Sequence, residues 1–237
     1  DRDDSAPAVV AGGPLTRANA RALVPFADAV ICGDGGPASA VVTEALRTLD
    51  PTAPESPRGA LLETLATLTS CGNASAPEPV AALEPACALP VVSPLWTPRS
   101  ALGDLLLVEV SRGCPKDCTF CIGRKDNAPL RMATAAQVME AIPENAPGVG
   151  LIGAAVGSYP PLGELLEWAA SAGKRAGVSS MRADRLDKDM VRLRKAAGSE
   201  VITVAADGPS ERLRTAIGKH VTEADLLPAA AQARSEK

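Results

Sequence analysis

Three cysteines, Cys114, Cys118 and Cys121, lie close together in a chain that has only six. Three thiolates on one short loop can hold three irons of a [4Fe–4S] cluster, which normally takes four cysteine ligands. The fourth iron would then lack a protein ligand and stay open to a chelating substrate, as the vacant position of a catalytic metal does. The spacing therefore predicts an iron–sulfur cluster with one open iron.

The residues alone leave three other interpretations of these cysteines. Structural zinc would need a fourth ligand near by, and the only histidine, His220, lies far along the chain. A closed cluster would have to borrow Cys32, Cys71 or Cys87, none of which has a paired spacing. Buried cysteines without any ligand role are also common in protein cores. The spacing favours the open cluster over these alternatives.

Composition limits the class of protein. The chain has 237 residues, of which 46% are hydrophobic and 22% charged, so it can form one large domain or two small ones. A net charge of -4 and an isoelectric point near 5.2 argue against a strongly basic surface for nucleic acid. Neither a membrane-length apolar run nor a signal peptide is present in the sequence. We therefore expect a cytoplasmic protein with no membrane partner, and nucleic acid is not an expected partner.

Strand and helix patterns alternate through the second half of the chain. Strands are predicted at 105–110, 149–153, 175–179 and 200–205, and helices at 134–142, 162–172, 187–197, 209–217 and 222–234. This alternation is typical of parallel β/α units, in which the loops after the strands carry the chemistry. The cysteine loop directly follows the first of these strands. Four units cannot close an eight-stranded barrel, so we predict a partial barrel over residues 104–237.

The front of the chain predicts part of a second α/β sheet. Strand patterns cover 8–13 and 28–32, and helical patterns cover 37–49, opened by Pro37, and 58–70. Two strands are too few for a complete sheet of this kind, so we expect the chain to be a piece of a longer protein that begins inside this domain. Residues 51–103 hold many prolines and are predicted as a connector.

The cysteine loop resembles the signature of the radical S-adenosylmethionine (SAM) enzymes. Val110-Ser-Arg-Gly-Cys114-Pro-Lys-Asp-Cys118-Thr-Phe-Cys121 has their CxxxCxxC spacing, with an aromatic residue, Phe120, before the third cysteine. In that family SAM chelates the open iron, and one electron from the cluster yields a 5′-deoxyadenosyl radical that abstracts hydrogen from the substrate. The resemblance implies the three cysteines as cluster ligands, a [4Fe–4S] cluster and SAM as cofactors, and an electron donor such as a flavodoxin or ferredoxin.

By the same resemblance, the loops after the later strands contribute to SAM binding. The stretch after the second strand keeps one glycine of the family's Gly-Gly-Glu turn and lacks its acid, and Asp207 stands for a family glutamate near the ribose hydroxyls. Arg182 would hold the SAM carboxylate in a two-pronged contact, the alternative being that it pairs with Asp184. The predicted SAM site comprises Phe120, Gly153, Ala154, Ser180, Arg182 and Asp207.

The front segment resembles the back half of the cobalamin-binding domain that precedes many radical SAM modules. The likeness is carried by Val9-Val10-Ala11-Gly12-Gly13-Pro14 and by the stretch 26–35. Gly12 and Gly13 would let the nucleotide tail of the cofactor approach the backbone, which glycine permits at low steric cost. Cobalamin is therefore a further cofactor that the resemblance allows. A competing pattern, Gly-Asp-Gly-Gly-Pro-Ala at 33–38, matches the dinucleotide fingerprint G-x-G-x-x-A.

Residues and resemblance together predict an α/β radical SAM enzyme. It would consist of the C-terminal portion of a Rossmann-like domain over 1–50, the connector, and the partial barrel, and would perform cobalamin-dependent methyl transfer or another radical modification of an unknown substrate. One rival is a methylthiotransferase, whose leading domain would use the three scattered cysteines for a second cluster. The other is a non-enzymatic iron–sulfur protein that transfers electrons or senses redox state. Such a protein would hold its cluster with four protein ligands and leave SAM intact.

Overall fold

The chain divides into two compact units on either side of residue 85. The computed structural model describes residues 6–13, 15–48, 57–67, 71–73, 88–123 and 129–236. Among these residues, no helix combines the length and the apolar character needed to cross a membrane.

In its described residues, the first unit has a three-stranded sheet and three α-helices. Its strands lie in the order β1 (Val10–Ala11), β2 (Ala29–Ile31), β3 (Cys71–Gly72), and its helices are α1 (Leu15–Asn19), α2 (Gly35–Thr48) and α3 (Pro57–Ala66). β1 runs parallel to β2, and β3 runs antiparallel to it. β2 is buried along its whole length because it is an unbroken apolar run, and Leu61 and Leu65 of α3 belong to the same core cluster. α2 begins two residues before the predicted start at Pro37.

The second unit holds a four-stranded sheet and a separate two-stranded ladder. Its strands are β4 (Val91–Val92), β5 (Leu106–Glu109), β6 (Ser111–Arg112), β7 (Arg131–Met132), β8 (Gly148–Ile152) and β9 (Arg175–Val178). The sheet order is β4-β5-β8-β9, with β5, β8 and β9 parallel and β4 antiparallel at the edge. Its helices are α4 (Ala135–Ala141), α5 (Leu162–Ser171), α6 (Lys188–Ala196), α7 (Glu211–Ala216) and α8 (Glu223–Ser235).

Apolar spacing explains how α5 packs. Leu162, Leu165, Leu166 and Ala169 follow one another at intervals that keep them on one helical face, and all four are buried in the main core cluster. On the sheet, Gly150 leaves room for a side chain of the neighbouring strand β5. A Cβ at Gly150 would come within 2.8 Å of a Leu107 methyl carbon.

The fourth predicted strand, over 200–205, is not formed as a regular strand. Within this stretch only Val204 makes a bridge to the chain after β9. The buried guanidinium of Arg194 donates to the carbonyl oxygens of Val178, at 3.1 Å, and Val201, at 3.3 Å. An arginine side chain thus links the two segments at a point where a backbone ladder was expected. The parallel part of the sheet therefore has three strands rather than four.

The segment predicted as a connector, 51–103, contributes to both units. α3 and β3 belong to the first unit, whereas β4 forms the edge of the sheet in the second. Two-residue strands such as these carry no alternation of apolar and polar residues, so the sequence gives no signal for them.

Candidate functional site

The cysteine loop starts just beyond β5 and is closed at its base by the β6–β7 ladder. Ser111 pairs with Met132 across this ladder. Arg112 donates to both carboxylate oxygens of Glu109, at 2.8 and 2.7 Å, and this two-pronged pair is largely buried. A charge-assisted pair of this geometry is among the stronger side-chain contacts. The base of the loop is therefore fixed relative to the parallel sheet.

Within the loop, the second and third cysteines are joined by a turn. The Cys121 amide donates to the Cys118 carbonyl at 3.1 Å. The thiols of Cys114, Cys118 and Cys121 form no disulfide, and all three side chains are at least partly accessible. They are therefore available as ligands.

All three cysteines line one cavity of about 240 Å³. The same cavity collects five of the six predicted SAM-site residues: Phe120, Ala154, Ser180, Arg182 and Asp207. A larger cavity, of about 760 Å³, lies between α6 and α8 and is lined by none of the predicted site residues. The smaller cavity is the candidate site because the three cysteines line it together with most of the predicted SAM-site residues.

Gly153, the sixth predicted residue, is not among the residues that line this cavity. A Cβ at this position would lie 3.0 Å from the Ser111 carbonyl oxygen and would also collide with the Ser111 hydroxyl. Gly153 therefore lets the end of β8 pack against β6. Sequence reasoning missed Gly157, which does line the cavity and where a Cβ would come within 3.1 Å of the Met181 Cα.

Tyr159 holds the loop after β8, which forms one wall of the cavity. Its buried hydroxyl donates to the Ala133 carbonyl at 2.6 Å. Burial, with a smaller contribution from Glu164, raises the pKa of Tyr159 to about 12. The phenol therefore stays protonated, and remains a donor, throughout the neutral range.

Arg182 lines the cavity, but its guanidinium is engaged by the protein itself. Nε donates to Asp184 Oδ1 at 2.8 Å, Nη1 to the Lys219 carbonyl at 2.9 Å, and Nη2 to the His220 carbonyl at 3.2 Å. This geometry matches the alternative in which Arg182 pairs with Asp184. The two-pronged face that a SAM carboxylate would need is occupied by protein oxygens.

Asp207 reaches the cavity wall as half of an ion pair. Its carboxylate contacts the ammonium of Lys219, which also lines the cavity and whose side chain is 12% exposed. The backbone of Asp207 adopts a left-handed conformation, with φ of 61°. Sequence reasoning missed Lys219, because a lone lysine in a polar stretch carries no motif.

The first unit has a cavity of its own, of about 310 Å³, which the predicted glycines line. Its lining includes Gly12, Gly13, Gly33 and Gly35, where β1 and β2 end and α2 begins. Among the described residues, no packing atom lies within 4 Å of a Cβ built at Gly13 or Gly35, so both positions border open space. The cobalamin-like and the dinucleotide-like patterns both map to this cavity.

Two of the three scattered cysteines, Cys32 and Cys71, lie in environments that disfavour metal binding. Cys32 and Cys71 are both buried, and burial raises the pKa of each thiol, which favours the protonated form over the thiolate that binds metal. The Cys32 thiol also donates to the Thr16 carbonyl at 3.5 Å. Cys87 lies outside the described residues. These environments give the methylthiotransferase interpretation no support.

The side chains that line the cysteine cavity fit a cluster with three protein ligands. Thiolates are the ligands that iron–sulfur clusters take, and the three cysteines line the same cavity. Within the described ranges, no three His, Cys, Asp or Glu side chains converge into a metal-binding group. The fit therefore rests on donor chemistry and the shared cavity rather than on the positions of the sulfur atoms.

Comparison with known proteins establishes the class. The profile of the radical SAM superfamily matches residues 108–237, which is more than half of the chain and includes the whole cysteine loop. The chain therefore belongs to the radical SAM superfamily, and the family resemblance of the cysteine loop is confirmed.

Among the proteins similar to this chain, one is a curated sequence and one a solved structure. An uncharacterized protein of Methanocaldococcus jannaschii is 35% identical over 144 residues, which make up 57% of this chain and 32% of that protein. The cobalamin-dependent SAM radical enzyme OxsB, solved with aqua-cobalamin and SAM bound, is 14% identical, with a TM-score of 0.59 over 94% of this chain and 34% of OxsB. The chain thus spans about a third of the length of each relative. The likeness to OxsB confirms the α/β fold class.

Proposed function

We propose that Cys114, Cys118 and Cys121 hold a [4Fe–4S] cluster and that SAM binds in the adjoining cavity, as in the catalytic core of a radical SAM enzyme. The observation that supports this proposal is the single cavity lined by the three cysteines and by five residues of the predicted SAM site. When bound, a cluster with one open iron supplies the electron that splits SAM into methionine and a 5′-deoxyadenosyl radical. We further propose that a flavodoxin or ferredoxin donates this electron in the cytoplasm.

The cavity walls would bind SAM by two kinds of contact. Phe120, which is 56% exposed, and the buried Met181 give the cavity apolar surface that would exclude water from the reacting atoms. The Asp207–Lys219 pair gives it one acceptor and one donor at neighbouring points. The carboxylate would accept hydrogen bonds from ribose hydroxyls, and the ammonium would donate to an anionic group of the ligand.

Filling the cavity is expected to block SAM without removing the cluster. Ala154 is exposed on the cavity wall, so Ala154→Trp should weaken SAM binding at least about tenfold, or about 1.4 kcal/mol. Iron content should stay unchanged, because no cysteine is altered. Ala172, exposed at the end of α5 and absent from the cavity lining, gives the matched control Ala172→Trp. Calorimetric titration of SAM into iron-loaded protein measures both variants, and equal affinities would contradict the assignment of this cavity.

The glycine-lined cavity of the first unit supports a second candidate, cobalamin binding. Open space beside Gly12, Gly13 and Gly35 would accept the nucleotide tail of the cofactor close to the backbone. OxsB, the structural relative, is itself described as cobalamin-dependent. Bound cobalamin would supply a methyl carrier to an enzyme that also generates a radical, which makes methyl transfer the reaction we favour.

A side chain at Gly12 is expected to close this cavity. In the described part of the chain, the atom nearest a Cβ at Gly12 is the Ile31 carbonyl oxygen, at 3.9 Å. Gly12→Leu should therefore fold and should weaken aqua-cobalamin binding at least about tenfold, or about 1.4 kcal/mol. Gly59 in α3 is open in the same way but lies outside the cavity lining, so Gly59→Leu is the control. Absorbance titration gives both affinities. A wild-type chain that does not bind aqua-cobalamin would remove this candidate and leave the cluster proposal standing.

A further inference from the structure

We propose that Arg182 is a positioning residue: by holding the turn 217–220, it fixes the backbone of the cysteine loop at Thr119 and so sets how Cys118 meets the cavity. The turn 217–220 follows α7 and contacts Arg182 on one side and the cysteine loop on the other. The inference rests on the proposed function in one respect only, that the cysteine loop binds an iron–sulfur cluster.

On the loop side, the turn makes direct backbone contact. The Thr119 amide donates to the Ile217 carbonyl at 2.9 Å, and the Thr119 hydroxyl reaches the same oxygen at 3.3 Å. These residues are 98 positions apart in sequence, so this contact exists only in the folded unit. Thr119 stands between Cys118 and Phe120, which both line the cavity. Movement at Thr119 would therefore move the cavity wall.

Gly218 permits this close approach. Its φ is +70°, a conformation that residues with a Cβ rarely adopt. A Cβ at Gly218 would also lie 3.1 Å from the Asp117 carbonyl oxygen and 3.5 Å from the Cys118 Cα. Turn and loop thus pack backbone against backbone.

On the other side, Arg182 holds the two carbonyls that follow Gly218. Its guanidinium donates to the Lys219 oxygen at 2.9 Å and to the His220 oxygen at 3.2 Å, while Asp184 orients it from the opposite edge. The Arg182 side chain is only 13% exposed. A planar guanidinium donates to the two carbonyls in directions fixed by its plane, whereas the donors of a lysine ammonium rotate freely. His220 has a φ of 47°, so the turn adopts an unusual backbone conformation at the residue that Arg182 contacts.

The same turn also places Lys219 on the cavity wall. The Lys219 carbonyl is held by Arg182, while its ammonium pairs with Asp207 inside the cavity lining. Arg182 therefore acts on the cavity through two routes, the cysteine loop and the Lys219 side chain. Neither route requires Arg182 to touch the ligand.

Hydrogen exchange of the reduced, metal-free chain tests this inference. We expect Arg182→Gln to speed exchange of the Thr119 amide at least about tenfold, because its acceptor at Ile217 is released. Arg194 is also buried and also holds backbone carbonyls, but at Val178 and Val201, away from the cysteine loop. In the control variant Arg194→Gln, exchange at Thr119 should stay within about twofold of the wild type. Exchange at Thr119 within twofold in Arg182→Gln as well would overturn the proposal.

A second variant tests the contact from the loop side and leaves Arg182 in place. Gly218→Ala should also speed exchange at Thr119, because its Cβ would push the turn away from Asp117. Unchanged exchange in Gly218→Ala would overturn the proposal even if Arg182→Gln fails to fold. Iron loading of the same proteins tests the proposed cluster binding separately from the positioning role of Arg182. A wild-type chain that binds no iron would overturn the proposed function and leave the exchange result intact.

Discussion

Replacing Cys118 with alanine is expected to abolish the cluster. After anaerobic reconstitution the wild-type chain should bind about four irons, and the Cys118→Ala chain less than about one, because two thiolates cannot hold the cube. Cys118 is the middle ligand of the predicted set, and its carbonyl also accepts the turn bond from Cys121. Since alanine leaves the carbonyl in place, the loss should come from the thiol alone. Iron and sulfide analysis measures the effect.

Cys71 supplies the matched control for this substitution. Its thiol is buried in β3, and burial raises its pKa, so it should contribute no ligand. Cys71→Ala should keep the full iron content. Equal iron in the Cys118→Ala and wild-type chains would show that the three-cysteine assignment is wrong.

Arg214→Met is expected to cause a large loss of stability, about 3–5 kcal/mol in the second unit. Arg214 is 2% exposed, and its guanidinium donates to the Val221 and Gly208 carbonyls. Methionine fills part of the volume but leaves the buried Val221 oxygen and the partly buried Gly208 oxygen without their charged donor. Gly208 directly follows Asp207, so the same side chain also supports the cavity wall.

Arg212, two residues earlier in α7, gives the control, because it is exposed. Arg212→Met should change stability by less than about 0.5 kcal/mol. Both tryptophans of the chain, Trp96 and Trp168, lie in the second unit, so urea unfolding followed by tryptophan fluorescence reports on that unit. Equal midpoints for the Arg214→Met and Arg212→Met chains would contradict a structural role for Arg214.

Strong local patterns made most of the second unit predictable. The strands predicted at 105–110, 149–153 and 175–179 appear as β5, β8 and β9 within two residues at each end. Short apolar stretches between helical patterns marked them, although β9 begins at the exposed Arg175. The helices have a different local signal, the capping residues at their starts. Thr222 and Asp187, for example, cap the starts of α8 and α6 through their own side chains.

The prediction of a fourth strand over 200–205 was wrong, for a reason that the sequence does not show. Val201 to Ala205 has the composition of a strand, but Val201 is 72% exposed and its carbonyl is bound by Arg194. Arg194 lies on the polar-looking helix α6, and nothing in the sequence pairs it with that strand. Long-range choices of this kind depend on tertiary packing rather than on local propensity.

The part of the candidate site that lies in a sequence motif could be predicted, and the part that is brought together by tertiary packing could not. Cys114, Cys118 and Cys121 lie close together in sequence, so their spacing alone predicted them as one group, and they line one cavity. Lys219 and the turn 217–220 reach the same cavity from about a hundred residues away, through contacts with Asp207 and Thr119 that no motif encodes. Residue types alone also could not show that the guanidinium of Arg182 is occupied.

The open iron is tested most directly by Mössbauer spectroscopy of the iron-loaded chain before and after addition of SAM. If Cys114, Cys118 and Cys121 are the protein ligands, one iron of the cluster has no protein ligand, and we expect the signal of that iron alone to shift when SAM binds. A cluster with four protein ligands would give a spectrum that SAM leaves unchanged. That result would contradict the proposed function and favour an iron–sulfur protein that transfers electrons or senses redox state.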